Sequence, residues 1–225
     1  MKVLRFGMLP LIVAAMGMTT VQAGVSIGGT RVIYDGGKKE ASLSVNNPDA
    51  TPYLIQTWIE TTNNDTGKAP FIITPPLYRL DKGQQNVMRI ICTGNLPESK
   101  ESLFWLNIKS IPSAERKDNT LQIAIKTRIK LIYRPVGLNQ STPEAQAEKL
   151  HWKSAGKFIQ VTNPSPYFIH FNEITVAGKS LEDVSFVAPA STASFALPPG
   201  VTGGAIIYKI INDYGGIGEA HHSSL

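Results

Sequence analysis

The sequence predicts an all-β chain of two immunoglobulin-like sandwiches, and three observations carry that prediction. Apolar residues recur at every second position through short runs, turn clusters rich in Gly, Pro, Asn and Asp separate the runs, and a proline break divides the runs into two sets. No convincing helical stretch interrupts either set.

The chain opens on a targeting signal. Lys2 and Arg5 precede an apolar stretch from Phe6 to Met18, and Val21-Gln22-Ala23 supplies the small residues of a cleavage site, so residues 1–23 read as a signal peptide cut after Ala23. The stretch falls short of the roughly 20 residues that cross a bilayer. No later stretch is longer, and an exported protein without an integral membrane anchor is expected.

From Gly24 the alternation is that of strands: Ala41-Leu43-Val45, Ile55-Thr57-Ile59, Met88-Ile90-Cys92 and Phe104-Leu106-Ile108. Turns fall at Tyr34-Asp35-Gly36-Gly37, Asn46-Asn47-Pro48, Thr61 to Lys68 and Asp81-Lys82-Gly83, giving about seven antiparallel strands before Pro135. Leu138 to Glu148 is polar and linker-like, so residues 24–138 form the first domain and 139–225 the second. Six further strands follow: Leu150 to Trp152, Lys157 to Val161, Tyr167 to Val176, Val184 to Val187, Thr192 to Ala196 and Gly204 to Ile211. Nothing from Gly215 to Leu225 alternates, so the second domain is expected to be short of its last strand, as after a truncation.

Composition excludes more than it names. With 42% hydrophobic and 17% charged residues in 225, the chain is too apolar for disorder. A net charge of +5 without a block of five like charges gives no nucleic-acid partner. A single cysteine, Cys92, excludes an internal disulfide and a cysteine-rich metal site, and its phase with Ile90 makes it a small buried hydrophobe. His151, His170 and His221-His222 lack metal-ligand spacing and read as solvated or edge residues. Gly28-Gly29 and Gly36-Gly37 are turns, Asn64-Asp65-Thr66 is a surface sequon, and no serine sits in a nucleophile elbow. No catalytic residue, metal site or cofactor is expected, which leaves a secreted hydrolase without support.

Thr120 to Pro135 is the clearest run. Leu121, Ile123 and Ile125 share one face, and Lys126, Arg128 and Lys130 the other. A half-buried strand with a solvated basic face fits this pattern, and so does an adhesive edge strand that extends another protein's sheet. The pattern leaves both open.

Leu96-Pro97-Glu98-Ser99-Lys100-Glu101-Ser102-Leu103-Phe104-Trp105-Leu106-Asn107-Ile108-Lys109-Ser110-Ile111-Pro112 resembles the signature of the periplasmic pilus-assembly chaperones, the PapD-like family. The resemblance extends over Gly29 to Gly36, Thr74-Pro75-Pro76, Lys130 to Pro135, Asn163-Pro164-Ser165-Pro166-Tyr167 and Ile211-Asn212-Asp213-Tyr214-Gly215. It implies two sandwiches set as a boomerang, in a periplasmic chaperone that lends an edge strand to a pilin lacking its own last strand. The chaperone caps the pilin's assembly surface and delivers it to the outer-membrane usher. Carried over, Leu121, Ile123 and Ile125 are the donor residues, and Arg31 and Lys130 anchor the pilin's terminal carboxylate. Glu101, Arg134 and Asp213 form an ionic network between the domains. The short stretch from Pro112 to Thr120 matches the short-loop subclass. The alternative, a structural pilin or adhesin, calls for a donor extension at the mature N-terminus, for which Gly24 to Gly29 is too short and glycine-rich.

Overall fold

The computed structural model describes residues 24–62, 68–113 and 121–225. The expected signal peptide, the Asn64-Asp65-Thr66 sequon and most of the short loop before Leu121 lie outside the described residues.

The first sandwich holds β1 (Ser26–Ile27), β2 (Arg31–Asp35), β3 (Ala41–Asn46), β4 (Tyr53–Thr61), β5 (Phe71–Thr74), β6 (Leu77–Leu80), β7 (Gln85–Cys92), β8 (Ser102–Pro112) and β9 (Ile125–Arg134). They form two sheets, ordered β1-β3-β7-β5 and β2-β9-β8-β4-β6. The predicted alternation turns Leu43, Val45, Ile55, Met88, Ile90, Leu106, Ile108 and Leu131 into one core between the sheets. Two features exceed the predicted seven strands. β1 is only two residues long, and the Thr74-Pro75-Pro76 turn moves the chain from β5, paired with β7, to β6, paired with β4. One pairing corrects the antiparallel expectation: β2 runs parallel to β9, Arg31 beside Lys130 and Asp35 beside Arg134.

Val136–Leu138 form a 3₁₀ turn, and α1 (Pro143–Ala147) stands where a polar linker was predicted. The Thr142 hydroxyl accepts from the Ala145 N–H, and Pro143 occupies a first-turn position where a missing donor costs nothing. Ala147 and Leu150 then enter the second core.

The second sandwich holds β10 (His151–Ala155), β11 (Phe158–Asn163), β12 (Ile169–Val176), β13 (Lys179–Ser180), β14 (Phe186–Val187), β15 (Ser191–Ala196), β16 (Ala205–Ile211) and β17 (Ile217–Ser224). One sheet is β10-β11-β15, and the other is β13-β12-β16-β17, with β14 also on β12. The expectation that nothing after Gly215 forms a strand is corrected by β17, which pairs antiparallel with β16 from Ala205 beside Ser224 to Ile211 beside Ile217. No β17 side chain is buried. Its backbone ladder and the His221 ring stacked on Tyr208 hold it, and a strand without a buried side chain leaves little alternation to read.

Both sandwiches turn one corner in the same way. Fully buried Asn47 donates to the carbonyls of Thr51, Leu80 and Asp81, and fully buried Asn163 donates to those of Tyr167 and Ala188. Each side-chain oxygen accepts the amide two residues on, Asp49 or Ser165, in an Asx turn. These amides satisfy carbonyls at a strand end and in the turns beside it. Two residue readings also change. Cys92 is half-buried at the end of β7, and His170 is neither solvated nor at an edge but 2% exposed.

Candidate functional site

β9 passes through three environments. Lys130 to Tyr133 lie between β2 and β8, Ile125 to Ile129 carry β8 on one side only, and Leu121 to Ala124 precede the strand. The strand predicted from Thr120 starts at Ile125, opposite Ser110, and the remaining β8 residues Ile111 and Pro112 have register partners in β4 but none in β9. Leu121, Ile123 and Ile125 are 83%, 61% and 51% exposed. They share parity with Ile129 and Leu131, which sit in the first core. One apolar face thus runs out of the core into solvent, beside a half-open strand edge.

The opposite face of β9 carries Lys126, Arg128, Lys130, Ile132 and Arg134. Lys126 and Arg128 rest over the rings of Trp58 and Trp105 and share Glu60 as a carboxylate partner, so the charge of this part of the predicted basic face is partly compensated. Further along, Leu103 and Ile132 are cross-strand partners, buried yet outside either core. Their face turns toward the second sandwich. It is also where consecutive buried residues, Leu103-Phe104, Leu131-Ile132 and Ile169-His170-Phe171, break the strand alternation.

Arg31 and Lys130 are register partners on this face, and each reaches across to the second sandwich. Arg31 Nη1 donates to the Ile211 carbonyl at 3.3 Å, while its Nε is buried without a partner. Lys130 Nζ lies 3.0 Å from His170 Nδ1 and 5.6 Å from the Phe186 ring centre. Burial, and secondarily the Arg31 charge, pushes the Lys130 pKa down to about 8. Burial also lowers that of Arg31, against the pull of Asp213, Glu144 and Glu101. Burial first, then the charges of Lys130 and Arg31, pushes the His170 pKa far down and keeps the imidazole neutral. Among the described residues neither cation has a carboxylate within ion-pair distance. Two adjacent cations, half removed from water and lacking a counter-ion, make a site that an anion would complete.

Glu101, Arg134 and Asp213 come together as one network. Arg134 Nε donates to Glu101 Oε1 at 2.7 Å, and its two terminal nitrogens donate to Asp213 at 2.6 and 2.8 Å. The other Glu101 oxygen accepts the Phe168 N–H at 2.7 Å. Burial disfavours the Arg134 charge, but the hydrogen bonds and charges of Asp213 and Glu101 outweigh it and raise its pKa. Asp213 is presented by a turn in which Asn212 Oδ1 accepts the N–H groups of Tyr214 and Gly216. Gly215 there has φ +83°, and a Cβ on it would collide with Thr30 Oγ1 beside β2. Only glycine lets this turn close on the first sandwich.

The sequence pattern described as "Pili and flagellar-assembly chaperone, PapD N-terminal domain" matches residues 24–139, and that of "Pili assembly chaperone PapD, C-terminal domain" matches 145–222. The chain belongs to the PapD family of pilus-assembly chaperones. It is 44% identical to the chaperone protein LpfB of Salmonella typhimurium, across 93% of this chain and 92% of that one. It is also 44% identical to the chaperone protein FocC of Escherichia coli, across 88% of each. Among solved structures it resembles the Salmonella enterica SafA pilin in complex with the SafB chaperone, with TM-score 0.83, 36% identity and coverage of 90% of this chain and 96% of that one. The E. coli chaperone DraB matches with TM-score 0.81 at 33% identity, covering 90% of this chain and 96% of that one. Among the described residues no helix is long and apolar enough to cross a membrane.

The sequence reading places Asn47 in a turn and Asn163 in a family motif without their corner hydrogen bonds, and takes His170 for a solvated or edge residue. No signal in the sequence marks His170: its burial beside Ile169 and Phe171 comes from a second layer of protein that covers the other face of β12.

Proposed function

We propose that this protein binds pilin subunits in the periplasm by lending them the exposed start of β9, caps their assembly surface and delivers them to the outer-membrane usher, without enzymatic activity. One observation carries the reading. The apolar face that fills the protein's own core through Ile129 and Leu131 continues into solvent as Ile125, Ile123 and Leu121, beside a cation pair that lacks a counter-ion. A pilin strand added to this edge would cover the aliphatic row, worth about 1.5 to 3 kcal/mol per side chain fully buried. Arg31 and Lys130 would take its terminal carboxylate and so fix the register, since a slip of one residue turns all three donors away.

Export is part of the proposal. Residues 1–23 act as the leader, residues 24–138 and 139–225 as the two domains, and cleavage after Ala23 frees the nitrogen of Gly24. That nitrogen lies 2.8 Å from Asp49 Oδ2, which also accepts the Tyr53 hydroxyl at 2.7 Å, so a free ammonium would find a charge-assisted bond already in place.

Co-purification with a pilin subunit tests the reading. Arg31→Ala and Lys130→Ala should each abolish capture while circular dichroism shows an intact fold. Undiminished capture by both variants, or capture of a pilin whose terminal carboxylate has been removed, would overturn the anchor.

A further inference from the structure

We infer that His170 positions the Lys130 ammonium for anion capture from across the cleft, so that carboxylate recognition is shared between the two sandwiches. The inference rests on the carboxylate reading above and adds a residue of the second sandwich to it.

Lys130 belongs to β9 of the first sandwich and His170 to β12 of the second, and Nζ meets Nδ1 at 3.0 Å. An ammonium has donors only, so Nδ1 must accept, and the ring proton of a neutral imidazole then sits on Nε2. Nε2 is buried without a partner. The ring is held by aromatic packing instead, stacked on Phe168 at 6.1 Å and edge-on to Phe186 at 5.4 Å. A histidine serving only as packing would be a poor choice here. Phenylalanine would fill the same aromatic cluster without leaving a buried donor unsatisfied, a cost that native interiors avoid. What the imidazole adds is the Nδ1 lone pair aimed at Lys130.

That acceptor restrains a long, flexible side chain. An ammonium on four methylenes has high rotamer freedom, and one fixed partner leaves its two other N–H groups for an incoming anion. Lys126 and Arg128 on the same face are restrained by Glu60 and by tryptophan rings. Lys130 is restrained by a neutral group, which leaves its charge uncompensated.

The test uses a synthetic peptide of alternating aliphatic residues, made with a free C-terminal carboxylate and as the C-terminal amide. Affinities are measured for the wild type, His170→Phe and His170→Asn. The wild type should prefer the acid over the amide. His170→Phe keeps an aromatic ring but removes the acceptor, and should reduce that preference about tenfold or more, the loss of one charge-assisted interaction. His170→Asn can place its side-chain oxygen where Nδ1 stood and should keep most of the preference. A merely structural role would weaken acid and amide alike and leave their ratio unchanged, which would overturn the inference. If the wild type does not distinguish acid from amide, the carboxylate reading itself falls. Imidazole ¹⁵N shifts of the unmodified protein test the geometry independently of how well His170→Phe folds: a bare Nδ1 and protonated Nε2 support it, and a protonated Nδ1 overturns it.

Discussion

Arg134 and Asp213 join the two sandwiches through paired hydrogen bonds, Nη1 to Oδ2 at 2.6 Å and Nη2 to Oδ1 at 2.8 Å. The side chains involved are unequally buried: Glu101 is 0% exposed, Arg134 8% and Asp213 20%. Arg134→Met would strand the Glu101 carboxylate with only the Phe168 N–H, and breaking a buried pair in this way costs about 3 to 5 kcal/mol. Asp213→Asn leaves Arg134 paired with Glu101 and should cost less, about 1.5 to 3 kcal/mol. Urea denaturation of both variants checks the order. An equal loss would mean that the network does not depend on the buried Glu101.

The same residues mark what the sequence could and could not reveal. Strands with one wet face were legible because their side chains record the core, as in Leu43-Val45 and Met88-Ile90. β17 was not legible because none of its side chains is buried, and backbone pairing leaves no trace in side-chain polarity. His170 was misread because a single histidine carries no mark of the second layer of protein that covers its strand. The meeting of Glu101, Arg134 and Asp213 spans 112 sequence positions, from 101 to 213, and only family motifs linked them. The start of β9 shows the opposite failure. Its alternation predicted a strand from Thr120, but alternation states which face is apolar and not whether a partner strand is present.

Ile123 and Leu131 share a face of that run, so the same substitution should act differently at each. Ile123 is 61% exposed, and Ile123→Asp should change stability by no more than about 0.5 kcal/mol, as for other surface positions. It should nevertheless end pilin capture, because a groove that accepts isoleucine would have to desolvate a carboxylate. Leu131 is 0% exposed, and Leu131→Asp should unfold the first sandwich. Thermal melting and co-purification read the two effects separately, and a large drop in Tm for Ile123→Asp would return Ile123 to the core.

Lys130 predicts opposite pH trends for capture and stability. Its folded pKa of about 8 lies below the ordinary 10.5, chiefly through burial. Between these values the unfolded chain holds a proton that the folded chain has released, so this group makes stability rise with pH across that window. Below about 8 its contribution is a constant penalty from the buried charge. Capture runs the other way, because only the ammonium attracts a carboxylate. Of the groups facing Lys130, Arg31 stays charged and His170 is already neutral, so neither supplies a competing transition. Affinity for a free-carboxylate peptide should weaken above pH 8 by up to about tenfold per unit, while the amide stays flat. A flat profile for the acid would contradict the role of Lys130.

The last strand turns an expected weakness of the second sandwich into a test. Without β17, the edge of β16 would be open, and Tyr208 would lose the ring of His221 stacked on it at 5.2 Å. With β17 in place, β16 lies between two strands, and its inward residues Ile206, Tyr208 and Ile210 are buried. Limited proteolysis of the full chain should therefore cut both sandwiches at similar rates. Removing residues 217–225 should make the second sandwich the first to be cut. Ile217→Ser should change little, because Ile217 is 60% exposed. Preferential cleavage of the second sandwich in the full chain would mean that β17 does not protect the edge it covers. If the full chain instead resists evenly and the shortened chain fails, a strand with no buried side chain, held by its ladder and the His221 ring on Tyr208, is sufficient to close this sheet.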